Sequence, residues 1–158
     1  MTLHSKTIWS PVGELTLVAD DAGLAAILWE DDKPDRVRLG ALNQQADHPI
    51  LVETERQLGE YFAGERRTFD LPLSFAGTDF QKRVWAALLA IPYGETRSYG
   101  EIAHQLGVPG ASRAVGAANG RNPISIVAPC HRVVGATGKL TGFAGGLEAK
   151  AFLLELER

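Results

Sequence analysis

Three short segments near the N-terminus, Thr7 to Ser10, Glu14 to Ala19 and Leu24 to Trp29, are rich in β-branched and apolar residues, and Pro11-Val12-Gly13 and Asp20-Asp21-Ala22-Gly23 break the chain between them. Runs this short between turn-forming breaks read as strands of a small antiparallel meander, which commits the first part of the chain to a sheet. The polar stretch from Glu30 to His48 reads as loop or weakly helical, and Pro49 to Phe62 as a helix stopped at Ala63-Gly64. Thr68 to Ser74 reads as one more strand.

The pattern changes at Thr78-Asp79-Phe80-Gln81, a capping box ahead of the apolar-periodic run Val84, Trp85, Leu88 and Leu89, which predicts a helix ending near Ala90. Ile91-Pro92-Tyr93-Gly94 is a turn, and Ser98-Tyr99-Gly100-Glu101 is a second capping box, opening a helix that ends at Leu106-Gly107. After Val108-Pro109-Gly110 a third helix is expected from about Ala111 to Asn119, with Gly120 as its left-handed stop. Two short helices across a Gly/Pro turn make a helix-turn-helix. A last helix is expected over Leu147 to Glu157. The fold class is α/β: a small N-terminal lobe, 1–76, with an antiparallel sheet and a helix, then a mainly helical C-terminal lobe, 77–158, with the helix-turn-helix and the site.

With 158 residues and 45% hydrophobic content the chain can bury a real core. No apolar run approaches transmembrane length and no signal peptide is recognisable, so a cytoplasmic protein without a membrane partner is expected. A single cysteine excludes an internal disulfide, and His4, His48, His104 and His131 show no ligand spacing around it; neither a metal nor a cofactor is expected. Charge is uneven. From Phe80 to Gly146 seven Lys and Arg stand against two Glu, while the remainder carries nine basic against seventeen acidic residues. A basic lobe beside an acidic one is the footprint of local nucleic-acid attraction within a chain of net charge −3.

Cys130 sits in Pro129-Cys130-His131-Arg132-Val133. A thiolate is the strongest side-chain nucleophile at neutral pH, and histidine the side chain best placed to take its proton. For an arbitrary lone cysteine the plainer reading is a small buried hydrophobe; its neighbours argue otherwise. The expected third helix is built from small residues, Ala111, Ser112, Ala114, Gly116, Ala117 and Ala118, with Arg113 near its start. Small side chains let a backbone approach another surface, and helix N-termini attract phosphate. For Ala and Gly alone an ordinary core helix is the plainer reading; Arg113 in a basic lobe tilts it toward DNA.

The chain resembles the O6-alkylguanine-DNA alkyltransferases, also called methylated-DNA–protein-cysteine methyltransferases. The resemblance runs through Phe80-Gln81-Lys82-Arg83-Val84-Trp85, Ile91-Pro92-Tyr93-Gly94-Glu95, Ser98-Tyr99, Ser112-Arg113-Ala114-Val115-Gly116, Asn122-Pro123, the Pro129 to Val133 block and Gly145-Gly146-Leu147. Ser10-Pro11-Val12-Gly13 and Tyr61-Phe62-Ala63-Gly64 extend it to the N-terminal lobe. It implies single-turnover DNA repair, in which Cys130 takes an alkyl group from O6-alkylguanine, or from O4-alkylthymine, in double-stranded DNA and keeps it as a thioether. His131 would deprotonate Cys130 through a water, Glu157 would orient His131, and Asn122 would be the hinge tying the turn to the Cys130 segment. Because adjacent residues of an extended segment point to opposite sides, an indirect relay is the more plausible.

Tyr99 and Arg113 would flip the nucleotide out of the stack, Arg113 filling the gap and Tyr99 rotating the phosphate and hydrogen-bonding the flipped guanine, with Ala111, Ser112 and Arg121 also binding DNA. Val133, Phe143, Ala144, Ser125 and Asn119 would line the substrate pocket, with backbone groups of Cys130, Val133 and Ala144 at the guanine. Ala128, Ala144 and Ser125 depart from the family's commoner residues and bear on the range of alkyl groups accepted. A monomer is expected, with cooperative assembly on DNA left open. The competing readings are a non-catalytic alkyl-lesion-binding protein, which would lack the acceptor cysteine; a cysteine hydrolase, which needs a remote histidine at the thiol; and a helix-turn-helix regulator, which leaves Pro129 to Val133 unexplained.

Overall fold

Strands β1 (Leu3–Ser10), β2 (Gly13–Ala19) and β3 (Leu24–Trp29) pair antiparallel in the computed structural model, which describes residues 2–158. Ser10 lies opposite Gly13, whose φ of 99° closes the first hairpin in a conformation that suits glycine. The sheet order is β3-β2-β1-β4, where β4 (Leu42–Gln44) runs parallel to β1. That strand corrects the reading of Glu30 to His48 as loop or helix. All of its residues are exposed, so it carries no buried alternation; pairing to the open edge of β1 makes it a strand.

Helix α1 (Pro49–Phe62) spans the expected residues, its first turn capped by the His48 ring accepting from Ile50 N, and the chain leaves it through Gly64 at φ 77°. Leu51, Thr54, Leu58 and Tyr61 recur at helical spacing and are buried against the sheet. Thr68 to Ser74 is not a strand. It makes one isolated bridge, Leu24 to Leu73, flanked by bonds from Leu24 N to Pro72 O and from Ser74 N to Leu24 O. Pro72 has no N–H for a ladder, and its carbonyl approaches so closely that a Cβ on Gly23 would lie 2.6 Å from it.

Both capping boxes form: Gln81 N donates to Thr78 Oγ1 at 3.1 Å and Thr78 N to Gln81 Oε1 at 3.0 Å, with the equivalent pair between Ser98 and Glu101. They start α2 (Asp79–Leu89) and α3 (Tyr99–Gln105). Helix α4 runs Ser112–Gly120, so Gly120 is its last residue and not a left-handed stop; the left-handed glycines, Gly107 and Gly110, lie in the α3–α4 turn instead. Short parallel strands β5 (Arg97–Ser98) and β6 (Val133–Val134) and helix α5 (Leu147–Leu156) complete the chain, with Glu157 as the cap residue after α5.

Two apolar clusters result. One joins the sheet and α1 to Ile124, Ile126, Val127, Ala149 and Leu153 from the second half of the chain, and Ile27 N donates to Pro123 O, so the 123–127 segment covers the outer edge of β3. The other packs α2, α3 and α4 around Cys130 and Val133. The segment carrying the cysteine is therefore clamped between both clusters.

Candidate active site

Asn122 organises the loop before the cysteine: its Nδ2 donates to Ala128 O at 2.8 Å and its Oδ1 accepts from Ile124 N at 3.1 Å. Between them Ile126 is held at φ 74°, a left-handed conformation that strains a β-branched residue by about 1–3 kcal/mol and is sustained by complete burial. Cys130–Arg132 forms a 3-10 turn and not the extended segment expected from sequence. Successive side chains on such a turn diverge by a third of a revolution, so Cys130 and His131 still point apart.

Cys130 is 3% exposed. Burial pushes its thiol up; Asn122 and Ser125, hydrogen bonding to the charged form, and the positive charges of Arg36 and Lys150 pull it the other way. Ser125, expected in the pocket, is buried and its Oγ accepts from Trp29 Nε1 at 3.1 Å, tying the thiol's surroundings to β3. Lys150 is fully buried and donates to Thr141 O at 3.2 Å, while Thr141 Oγ1 bonds the Tyr99 hydroxyl at 2.5 Å.

His131 and Glu157 meet with fully buried side chains, Nε2 to Oε2 at 2.7 Å. Glu157 also accepts from Arg132 through Nε at 2.8 Å and Nη2 at 3.0 Å, and from the Tyr61 hydroxyl at 2.6 Å. Burial alone would raise the Glu157 carboxyl, but the donors His131, Arg132 and Tyr61 outweigh it and bring it down to about 2. A carboxylate accepts only, so Nε2 of the neutral ring carries the hydrogen and Nδ1 keeps its lone pair. Nδ1 is buried with no protein partner among the described residues. Burial holds His131 below its ordinary range against the pull of Glu157, with Arg132 and Lys150 adding to the lowering. Thiol and imidazole thus rest neutral, a base beside an acid.

Tyr99 and Gly116 separate two clefts. One, about 700 Å3, is walled by Tyr99, Arg121, Phe143 and Ala144 on one side and by Asp31, Asp32 and Arg36 on the other. The other, about 390 Å3, is lined by Tyr99, Ser112, Arg113, Gly116 and Ala136. Arg113 is exposed and makes no side-chain hydrogen bond or ion pair among the described residues. Ala111 precedes α4 as its cap residue without a side-chain bond. Of the other expected residues, Val133 is fully buried beside Cys130, Asn119 is 6% exposed with Oδ1 unpartnered, and neither lines the larger cleft. Arg121 donates to Asp35 O at 2.6 Å and so fastens the 31–36 wall. Arg36 reinforces it, pairing with Asp32 and donating to Asn122 O at 2.5 Å.

One charge of the second half's basic excess is internal, Arg132 being consumed by Glu157, whereas Arg83 and Arg97 bond Leu106 O and Glu95 at the surface. Sequence reasoning missed Tyr61, Arg132, Lys150, Trp29 and Arg36. Arg132 and Tyr61 lay inside segments that carry the resemblance; Lys150, Trp29 and Arg36 carry no local signal. A further group capable of holding a metal, His4, Asp21 and His48 with ligand atoms within 4.8 Å, lies outside this cluster, and His48 Nδ1 is already engaged by Ile50 N.

A buried thiol whose neighbouring imidazole is oriented by a fixed carboxylate defines a protein built for nucleophilic cysteine chemistry. A family model described as 6-O-methylguanine DNA methyltransferase, DNA binding domain, matches residues 79–158, and one described as the ribonuclease-like domain of the same protein matches residues 3–75. The chain belongs to the 6-O-methylguanine DNA methyltransferase family. It is 55% identical to the methylated-DNA–protein-cysteine methyltransferase of Mycolicibacterium paratuberculosis, over 99% of this chain and 93% of that protein. It is 52% identical to the protein of that name from Methanosarcina acetivorans, over 94% of each. Among solved structures it superposes on Mycobacterium tuberculosis OGT in complex with DNA with a TM-score of 0.89, at 52% identity, over 98% of this chain and 92% of that one.

Proposed function

We propose that the protein repairs alkylated DNA by direct reversal, moving an alkyl group from O6-alkylguanine in duplex DNA to Cys130 in one displacement. The observation that carries this reading is the orientation of His131: with Nε2 donating to Glu157, the free lone pair at Nδ1 makes it a base for the lone thiol. Through a water, Nδ1 takes the Cys130 proton; the sulfur–carbon bond forms as the carbon–O6 bond breaks, the electron pair stays with guanine, and guanine takes up a proton. No group in the site is placed to cleave the thioether, so each chain acts once.

Asn122 holds the loop that presents Cys130, Tyr99 and Phe143 border the larger cleft as the base-binding side, and Arg113 fills the stack that the flipped nucleotide leaves. Ala111, Ser112 and Arg121 flank the DNA backbone. The unpartnered Arg113 guanidinium in its own cleft supports the flipping role. Family models that meet near residue 77 support a division into 1–76 and 77–158, although the apolar core crosses it. No helix among the described residues is long and apolar enough to cross a membrane; the need for a reduced thiol favours the cytoplasm. A lesion-binding protein without chemistry is disfavoured by Cys130 itself.

Incubation with alkyl-labelled duplex DNA tests the reading. One label per chain, on Cys130, and none on Cys130→Ser is the expected result; turnover beyond one equivalent would overturn it. Arg113→Ala should slow reaction with duplex while sparing a free O6-alkylguanine base, and equal losses on both would remove the flipping role.

A further inference from the structure

Three donors converge on a single oxygen of Glu157, and one of them comes from the other end of the chain. Oε2 accepts from His131 Nε2 at 2.7 Å, from Arg132 Nη2 at 3.0 Å and from the Tyr61 hydroxyl at 2.6 Å. Tyr61 lies in the last turn of α1, in the region matched by the ribonuclease-like family model, while Cys130, His131, Arg132 and Glu157 all belong to the other. We propose that Tyr61 is a positioning residue for alkyl transfer: its hydroxyl holds Glu157 in register with His131 and disperses the carboxylate charge, so that His131 remains a neutral base.

Tyr61 is fully buried, with the rings of Phe62 and Phe69 each 5.4 Å from its own and that of Tyr93 6.4 Å away. Burial first, and the Glu157 charge second, hold its hydroxyl far above the ordinary phenol range, so it is a donor at every working pH. The direction of its influence follows. A carboxylate stabilises an imidazolium in proportion to the charge that its oxygens expose, and each additional donor on Oε2 lowers that charge. The other groups facing the pair are Arg132 in the same turn, Lys150 from α5, and Tyr93, whose ring lies 5.2 Å from Arg67 and 5.7 Å from Arg132. Arg132 and Lys150 oppose protonation of His131 as Tyr61 does, but from within the second half. The plainer alternative is a core tyrosine whose hydroxyl merely needs an acceptor. Under it, removing the hydroxyl lowers stability and leaves the proton equilibrium alone.

The proposal rests on His131 acting as base in the proposed function. The test uses the full-length protein and Tyr61→Phe, which keeps the ring. Two quantities are read: the pH dependence of alkyl transfer from free O6-benzylguanine, and the 15N shift titration of His131 in a Cys130→Ser background, where the thiol does not titrate with it. Tyr61→Phe is expected to move both the acid limb and the His131 midpoint upward by about 0.5–1 pH unit, the size of one lost hydrogen bond to the ion, while the rate plateau at higher pH is retained. A limb and midpoint that stay in place, with only a lower plateau or melting temperature, would overturn the proposal.

Should Tyr61→Phe be too unstable to assay, 3,5-difluorotyrosine at position 61 strengthens the donor without removing it. The limb must then move downward, and an unmoved limb overturns the proposal equally. Absence of any label on Cys130 in the unmodified protein would sink the proposed function itself, a result separable from an unmoved limb.

Discussion

The two regions are equally buried but differ in how many polar groups they enclose. Around the sheet and α1 the interior is Leu15, Leu17, Leu24, Ile27, Leu51 and Leu58, all fully buried and apolar. Around the Cys130 turn the interior includes Asn122, Ser125, His131, Lys150 and Glu157, four of them at 0% exposure and Glu157 at 2%. The first region is held by area removed from water, which degrades gradually as atoms are deleted. The second is held by polar groups that satisfy one another, and removal of one strands the rest. Both regions hold the fold, by different physics, and Tyr61 joins them through its bond to Glu157.

The largest expected effect tests that contrast. Glu157→Ala leaves Arg132 Nε and Nη2, the Tyr61 hydroxyl and His131 Nε2 without their acceptor, although Arg132 Nη1 keeps Ile91 O, and should cost about 3–5 kcal/mol in urea unfolding. Leu58→Ala, an ordinary apolar truncation, should cost about 2–5 kcal/mol according to how far its site collapses. A Glu157→Ala cost well below that of Leu58→Ala would break the comparison.

Acid sharpens it further. The Glu157 carboxyl sits at about 2 against an ordinary 4.5, so the stability it contributes is complete above pH 4.5 and is lost as pH falls toward 2. His131, held neutral below its ordinary 6.5, contributes with the same sign, present above 6.5 and lost as pH falls through its lowered value. Glu53 is also brought down to about 2, first by its hydrogen bond from Arg56, but it stands on the exposed face of α1. Added salt should therefore erase the pH dependence due to Glu53, read as the difference from Glu53→Gln, and leave the acid destabilisation that Glu157 causes. Equal salt sensitivity of the two would contradict the buried geometry.

Alkylation of Cys130 comes next in size. Cys130 belongs to the buried apolar cluster that includes Val84, Ile102, Val115 and Val133, an interior where an added methyl typically costs about 1–3 kcal/mol. The methylated protein should melt several degrees lower and the benzylated protein lower still, each checked by mass; an unchanged melting temperature would mean a cavity preformed for the product. The smallest effect on stability belongs to Arg113→Ala. An exposed, unpartnered side chain should change unfolding by no more than about 0.5 kcal/mol while slowing repair of duplex DNA; a large thermal shift would show that Arg113 supports the fold.

Much of this architecture was legible residue by residue. The meander, α1, both capping boxes and the order of the C-terminal helices depend on interactions within a few positions, such as Thr78 with Gln81 or Ser98 with Glu101. Errors arose where a distant partner decides. Leu42 to Gln44 becomes a strand because β1 offers an edge, and Thr68 to Ser74 fails to become one because Pro72 cannot donate. Gly120 stays helical, and Arg121, at φ −98°, caps α4 in its place with its N–H on the carbonyls of Ala118 and Asn119.

By itself, then, the sequence determined which local elements form, that a single thiol stands beside an imidazole, and that small residues with an arginine build α4; these follow from residue identity and short spacing. Only the tertiary structure decided which charges are spent inside. Arg132 is counted in a basic lobe by sequence yet neutralises Glu157, 25 positions away, and Tyr61 reaches the same carboxylate across 96. Those pairings carry no periodic signal, because they arise when the end of α5 is packed against the Cys130 turn and against Tyr61 of α1 by burial of apolar surface, a non-directional force that is indifferent to which polar groups it places within hydrogen-bond reach.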